Sequence, residues 1–103
     1  MKIRVSRKAA GYIRSEAKYL RSYSPQAAQN FLTAIQQAKK NLRLYPDMGT
    51  ERGQLPIPGS RTLITGEYLI SYIKGDDYID VILIKHSRQT MILPVAGEDD
   101  YQD

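Results

Sequence analysis

The chain has 103 residues, 15 Lys+Arg against 11 Asp+Glu, one His and no Cys. That length fits one domain able to bury roughly 65% of the surface its unfolded form exposes, and the lack of Cys removes disulfides, thiolate metal sites and a Cys nucleophile. No run approaches the ~18 apolar residues of a membrane span, and Met1-Lys2-Ile3-Arg4-Val5 has no signal-peptide core, so a cytoplasmic protein without membrane contact is expected.

Charge is unevenly placed. Glu98, Asp99, Asp100 and Asp103 close the chain, leaving residues 1–97 with 15 basic against 7 acidic residues, a formal balance of +8. One basic domain over 1–96, with a solvated acidic tail at 97–103, is the expected organisation. A basic body admits a nucleic-acid or acidic protein partner without requiring one.

Lys2-Ile3-Arg4-Val5 alternates as a half-buried strand does. Ser6 is placed to cap a helix over 7–22. Ala10, Ile13, Ala17 and Leu20 share one face of that helix, Tyr12, Tyr19 and Tyr23 line its edge, and Arg7, Arg14, Lys18 and Arg21 gather opposite. The basic stripe reads as a solvated face or, less simply, as a contact for an acidic partner. Ser24-Pro25 opens a second helix, with Ser as N-cap and Pro at the first helical position. Ala28, Phe31, Leu32, Ile35, Ala38 and Leu42 form its apolar series, its outer face is rich in Gln and Asn, and Pro46 ends it. Two helices with so short a break form an α-helical hairpin.

Residues 46–60 hold three Pro and three Gly and are expected as loop, with turns at Gly49 and Gly59. Strands are predicted over 61–64, 68–74 and 78–86, joined by Thr65-Gly66-Glu67 and Gly75-Asp76-Asp77. The expected fold is α+β: an N-terminal strand, an α-helical hairpin packed on one sheet face, and a three-stranded antiparallel meander. Met91-Ile92-Leu93-Pro94-Val95 is an apolar stretch that docks on the domain or needs a partner.

The catalytic inventory is thin. There is one His, no phosphate-binding Gly loop and no ligand spacing for a metal, so neither a metal ion nor another cofactor is expected. What remains is a basic group on the meander. Arg61 begins one strand; Lys85, His86 and Arg88 end another. Alternation puts His86 with Ile84 and Lys85 on the other side. The sheet face opposite the helices is the place where some of these could collect. Arg61 could hold a phosphate and His86 could act as acid or base; a surface ion pair and a structural His are the simpler readings. Tyr68, Tyr72 and Tyr78 read as packing residues.

In order along the chain stand Ser24-Pro25-x-x-Ala28, Leu44-Tyr45-Pro46-Asp47-Met48-Gly49, Pro58-Gly59-Ser60-Arg61-x-Leu63, Glu67-Tyr68-Leu69-Ile70-Ser71-Tyr72 and Ile82-Leu83-Ile84-Lys85-His86-Ser87-Arg88. This ordered set resembles the ParE branch of the ParE/RelE toxins of type II toxin–antitoxin (plasmid stabilisation) systems, over roughly residues 3–90. The resemblance implies a growth-inhibiting toxin that forms a hetero-oligomer with a cognate antitoxin. RelE-like members cleave mRNA on the ribosome; ParE-like members poison DNA gyrase. The nucleases usually carry Arg two residues before the hairpin Gly, where this chain has Ile64. They also carry a C-terminal Tyr, where this chain has Thr90-Met91-Ile92-Leu93. The resemblance therefore implies a gyrase inhibitor that is not an enzyme, with Arg61, Lys85 and Arg88 toward the target. If the chain is instead a ribosome-dependent endoribonuclease, Arg61, His86 and Arg88 are its candidate catalytic residues. Tyr12, Tyr19 and Tyr23 are candidates for antitoxin contact, in competition with core packing.

Overall fold

A computed structural model describes residues 1–51, 57–88 and 101–102. The apolar stretch 91–95, the departure at Thr90–Leu93 and most of the acidic tail lie outside the described residues. Strand β1 (Lys2–Ser6) leads directly into helix α1 (Arg7–Arg21), followed by α2 (Pro25–Leu44). Strands β2 (Ser60–Thr65), β3 (Tyr68–Lys74) and β4 (Tyr78–His86) form the meander, and β5 is the pair Tyr101–Gln102. The α+β reading stands, with helical hairpin and meander in the expected order.

Both helix starts follow from their capping residues. The Ser6 hydroxyl accepts the Ala9 N–H at 3.1 Å and donates to the Ile82 carbonyl at 3.3 Å, while fully buried. The Ser24 hydroxyl accepts from Ala27 N–H at 3.1 Å, and Pro25 follows in the first turn. Each satisfies a helix-end donor that would otherwise stay unpaired. Ser6→Ala is expected to cost about 1 kcal/mol, the usual loss for an N-cap, seen as a lower urea midpoint at unchanged slope. An unchanged midpoint would mean that the cap adds nothing to the fold.

The sheet order is β2-β3-β4-β1-β5. β1 runs parallel to β4, with Ile3 opposite Ile79 and Val5 opposite Val81. The helical hairpin is thus the crossover that a parallel pair requires. Part of the tail differs from the solvated expectation: Tyr101 and Gln102 pair antiparallel with Ser6 and Val5. The open edge of β1 offers unpaired backbone groups that an extended segment can satisfy. In the middle of β1, Arg4 holds Asp80 through Nε–Oδ1 at 2.6 Å and Nη2–Oδ2 at 2.8 Å, with its guanidinium 4.2 Å from the Tyr78 ring centre. The fork and the ring face both suit a planar guanidinium.

The core lies between the helices and one sheet face. Ala9, Ala10, Ala17 and Leu20 of α1 and Ala28, Phe31, Ile35, Ala38 and Leu42 of α2 pack against Ile3, Val5, Ile70, Tyr72, Ile79, Val81 and Ile84. Strand β4 carries an irregularity: Ser71 pairs with Leu83 but Tyr72 pairs with Val81, so Ile82 has no opposite residue. This bulge shifts the alternation by one. Val81 and Ile84 therefore both face the helices, and His86 stays on the helix side with Ile84.

Candidate functional site

The β2–β3 hairpin turns on two residues, Gly66 and Glu67, with Thr65 opposite Tyr68. Gly66 has φ +59 and, among the described residues, only glycines have positive φ, so Glu67 does not; these are the signs of a type II′ turn with Gly in its first central place. The turn carries Glu67 to the end of β4, where its carbonyl accepts the Ser87 N–H at 2.8 Å and its carboxylate lies 3.5 Å from His86 Nε2. His86 Nδ1 accepts the Arg88 backbone N–H at 3.1 Å. That bond assigns the ring proton of neutral His86 to Nε2, toward Glu67.

Across from this turn stands α1. Tyr12, Glu16 and Tyr19 follow one another at helical spacing up one edge, and Tyr23 stands in the turn just past the helix end. Tyr68 donates from its hydroxyl to Glu16 Oε2, packs at a tilt against Phe31 with centroids 4.7 Å apart and meets the His86 ring edge-on at 5.3 Å. Burial, with the Glu16 carboxylate beside it, pushes the Tyr68 hydroxyl above its ordinary range. The Tyr12 hydroxyl is hidden beside the His86 backbone but completes no hydrogen bond. Burial first, then Glu16, raises it to about 12 from 10.0.

The sign of this shift sets a pH dependence. A tyrosine whose folded pKa is raised contributes stability below pH 10 that is lost as pH rises through about 12. Stability should therefore fall faster between these limits for the natural chain than for Tyr12→Phe, measured by urea unfolding at stepped pH. Identical slopes for the two proteins would contradict the raised hydroxyl.

Tyr19 and Tyr23 are different from Tyr12: each is 63% exposed, and their rings meet edge-on with centroids 5.5 Å apart. The three tyrosines expected on one edge thus divide into one packed against the core and two facing outward.

Arg61 sits at the far end of the sheet from His86. It pairs with Tyr72, whereas His86 pairs with Tyr68. Four residues along the strand and two strands across put the two Cα positions roughly 16 Å apart at ordinary strand spacing. The Arg61 guanidinium is committed to the loop after α2. It donates to the Asp47 carbonyl at 3.1 Å, the Gly49 carbonyl at 2.8 Å and Glu51 Oε1 at 3.0 Å. Lys74 reaches Asp47 at 3.3 Å, and Thr50 and Thr62 exchange both backbone bonds at 2.9 Å. Tyr72, fully buried, accepts the Gly49 N–H and donates to the Pro46 carbonyl, each at 2.9 Å. The segment Pro46-Asp47-Met48-Gly49 is a strap laced to the sheet.

The basic residues do not gather on the face opposite the helices. Cross-strand partners point to one side, so Arg61 beside Tyr72 and His86 beside Tyr68 are on the helix side, at opposite ends. Lys85 pairs with Leu69 on the other face, and Arg88 is exposed beyond the strand. Sequence reasoning missed Glu16 and Glu67. A lone carboxylate one turn from Tyr12 and Tyr19, on an otherwise basic helix, was the available signal. Among the described residues no His/Asp/Glu group could hold a metal ion, and no helix is long and apolar enough to cross a membrane.

Comparison with known proteins agrees with this architecture. The chain resembles a chain of the chromosomal ParDE TA system from P. aeruginosa, with 22% identity and a TM-score of 0.69 over 84% of this chain and 95% of that one; at this identity the likeness shows the fold. No curated protein sequence gives a significant match. The model of the ParE toxin of type II toxin–antitoxin systems (parDE) matches residues 3–91. With the helical hairpin, the strap and the meander all inside that span, the chain belongs to the ParE toxin family, whose members are paired with a cognate antitoxin.

Proposed function

We propose that this toxin acts in the cytoplasm by binding DNA gyrase, without cutting RNA, and that its antitoxin holds it inactive. The observation that supports this reading is the dispersal of the groups a nuclease would need. Cleavage of RNA requires phosphate-binding cations and an acid or base within hydrogen-bond reach of one phosphodiester. Here Arg61 is tied to Asp47, Gly49 and Glu51, and His86 is set between Glu67 and the Arg88 N–H, at the other end of the sheet. A binding contact needs no such convergence. Arg88, exposed just beyond the end of β4, supplies charge for a target, with the half-buried Lys85 near it on the strand; Arg61 supports its strap.

Brief induction of the toxin without antitoxin tests the reading. The expected result is double-strand DNA breaks and a DNA-damage response with transcripts intact. Prompt codon-spaced cuts in ribosome-bound mRNA would overturn it in favour of a RelE-like endonuclease.

A further inference from the structure

The helical hairpin carries most of the chain's unbalanced charge. Residues 7–44 hold eight of the 15 Lys+Arg and, in Glu16, one acid; no Asp or Glu stands between Glu16 and Asp47. Cations on the sheet are matched: Arg4 pairs with Asp80, Arg61 with Asp47 and Glu51, and Lys74 with Asp47. On the hairpin, Arg14, Lys18, Arg21, Lys39 and Arg43 form no salt bridge among the described residues.

Helical spacing gathers these cations on one face. Arg7, Arg14, Lys18 and Arg21 fall within about 60° of one another around the axis of α1, and all four are exposed. Glu16 points to the other side, toward Tyr68. Arg14 and Arg21 border a recess of about 320 Å³ formed with Ile13, Ala17 and Leu32, where α2 meets α1. Lys39 and Arg43 come two and three turns after Leu32, on the same face of α2. Because the hairpin is antiparallel, Lys39 stands level with Arg7, and the stripe runs roughly 27 Å along the outer face at 1.5 Å per residue. Gly11 lies within it, between Arg7 and Arg14. Glycine inside a helix costs stability, and packing does not demand it here: a Cβ would meet nothing nearer than the Arg14 Nη2 at 3.9 Å. Bare backbone among cations suits a ligand lying close along the helix. Like charges three and four residues apart also destabilise a helix, a cost that a polyanion on this face relieves. The apolar anchors that mark a protein contact lie elsewhere: exposed Tyr19, Tyr23, Met48 and Ile64 line recesses beside the β2–β3 hairpin.

We propose that the outer face of the helical hairpin binds the phosphate backbone of duplex DNA without reading its sequence. Guanidinium and ammonium groups release the counterions that phosphates condense, which supplies affinity whatever the bases. The stripe matches the rise of about eight base pairs at 3.4 Å each. A contact of this kind lets a protein slide along DNA, and so brings the toxin to enzymes that work on the duplex. The proposal goes beyond the gyrase reading, since it concerns toxin and DNA alone.

The test is fluorescence anisotropy of a short labelled DNA duplex titrated with the full-length toxin. Saturable binding is expected, weakening on the order of a hundredfold between about 50 and about 200 mM salt, as release of roughly four counterions requires. Arg14→Gln/Lys18→Gln/Arg21→Gln should weaken binding about tenfold or more and flatten the logarithmic salt slope by roughly 2 to 3. Gly11→Glu, placed in open space amid the stripe, should also weaken it. Neither variant should lower the urea midpoint, because each relieves like-charge repulsion. Asn30→Asp/Gln37→Glu/Asn41→Asp removes the same net charge on the side of α2 toward β2, and should change binding less than about threefold, since salt screens charges a Debye length away. Equal loss in this third variant would reduce the effect to net charge and overturn the stripe. Absence of saturable binding, or binding unchanged by the first two variants, overturns it as well. Labelled polyglutamate bound as tightly as the duplex would hand the face to an acidic protein and overturn DNA as its partner. Gyrase is absent from every arm, so failure here and failure of the gyrase reading are distinguishable.

Discussion

Gly49→Ala is expected to lower stability by about 2–4 kcal/mol. Gly49 has an ordinary negative-φ backbone, so conformation alone would allow alanine. Space does not: a methyl there would stand 2.8 Å from the Tyr72 hydroxyl, 2.9 Å from its Cε1 and 3.0 Å from the Thr62 carbonyl. The ring cannot swing aside without breaking the bonds to Gly49 N–H and the Pro46 carbonyl, and the Thr62 carbonyl is fixed by Thr50. Overpacking costs about 1–3 kcal/mol, and each disturbed hydrogen bond adds about 1. Against a total stability of roughly 5–15 kcal/mol, that is a large fraction. The urea midpoint should fall at unchanged slope. Combining Gly49→Ala with Tyr72→Phe should cost less than the two single changes together, because the second removes the atom the methyl meets. A Gly49→Ala change below about 0.5 kcal/mol, the scale of ordinary surface substitutions, would contradict the close approach.

Phe31→Ala should cost about 3–5 kcal/mol, the range for deleting a buried aromatic ring. Phe31 is 4% exposed, in α2, and its ring lies against Tyr68 at 4.7 Å between centroids. Tyr68 in turn carries the bond to Glu16 and the edge contact to His86. The loss should therefore reach beyond the core: the raised Tyr68 hydroxyl should titrate at lower pH once its packing loosens. Phe31→Leu, which keeps most of the volume, should retain more than half of the lost stability. A small effect of Phe31→Ala on both stability and titration would mean that the packing around Tyr68 is not built on this ring.

The division between what was legible and what was not has physical causes. Ser6 and Ser24-Pro25 announce helix starts because capping is local chemistry, settled within three residues. Gly66 and Gly75 announce hairpins for the same reason. The parallel pairing of β1 with β4 is non-local; alternation over residues 2–5 shows a strand without naming its neighbour. The apolar run Val81-Ile82-Leu83-Ile84 hides the bulge, since a continuous run has no alternation to shift. Gly49 was expected to turn the chain and instead makes room for Tyr72. Arg61, Lys85, His86 and Arg88 form one basic group in the sequence, but order at strand ends does not give position along a sheet. Tyr19 was legible on one edge of α1, whereas Tyr23, expected on the same edge, stands just past the helix end. Glu16 and Glu67 were not legible, because only the fold brings the first helix to the tip of the β2–β3 hairpin.

The most direct test of the account is to add the purified toxin, without antitoxin, to purified DNA gyrase and closed circular DNA, and in parallel to ribosomes carrying mRNA. Binding without cleavage chemistry predicts impaired supercoiling, accumulation of gyrase-linked broken DNA and intact mRNA. Normal supercoiling together with mRNA cut on the ribosome would contradict it.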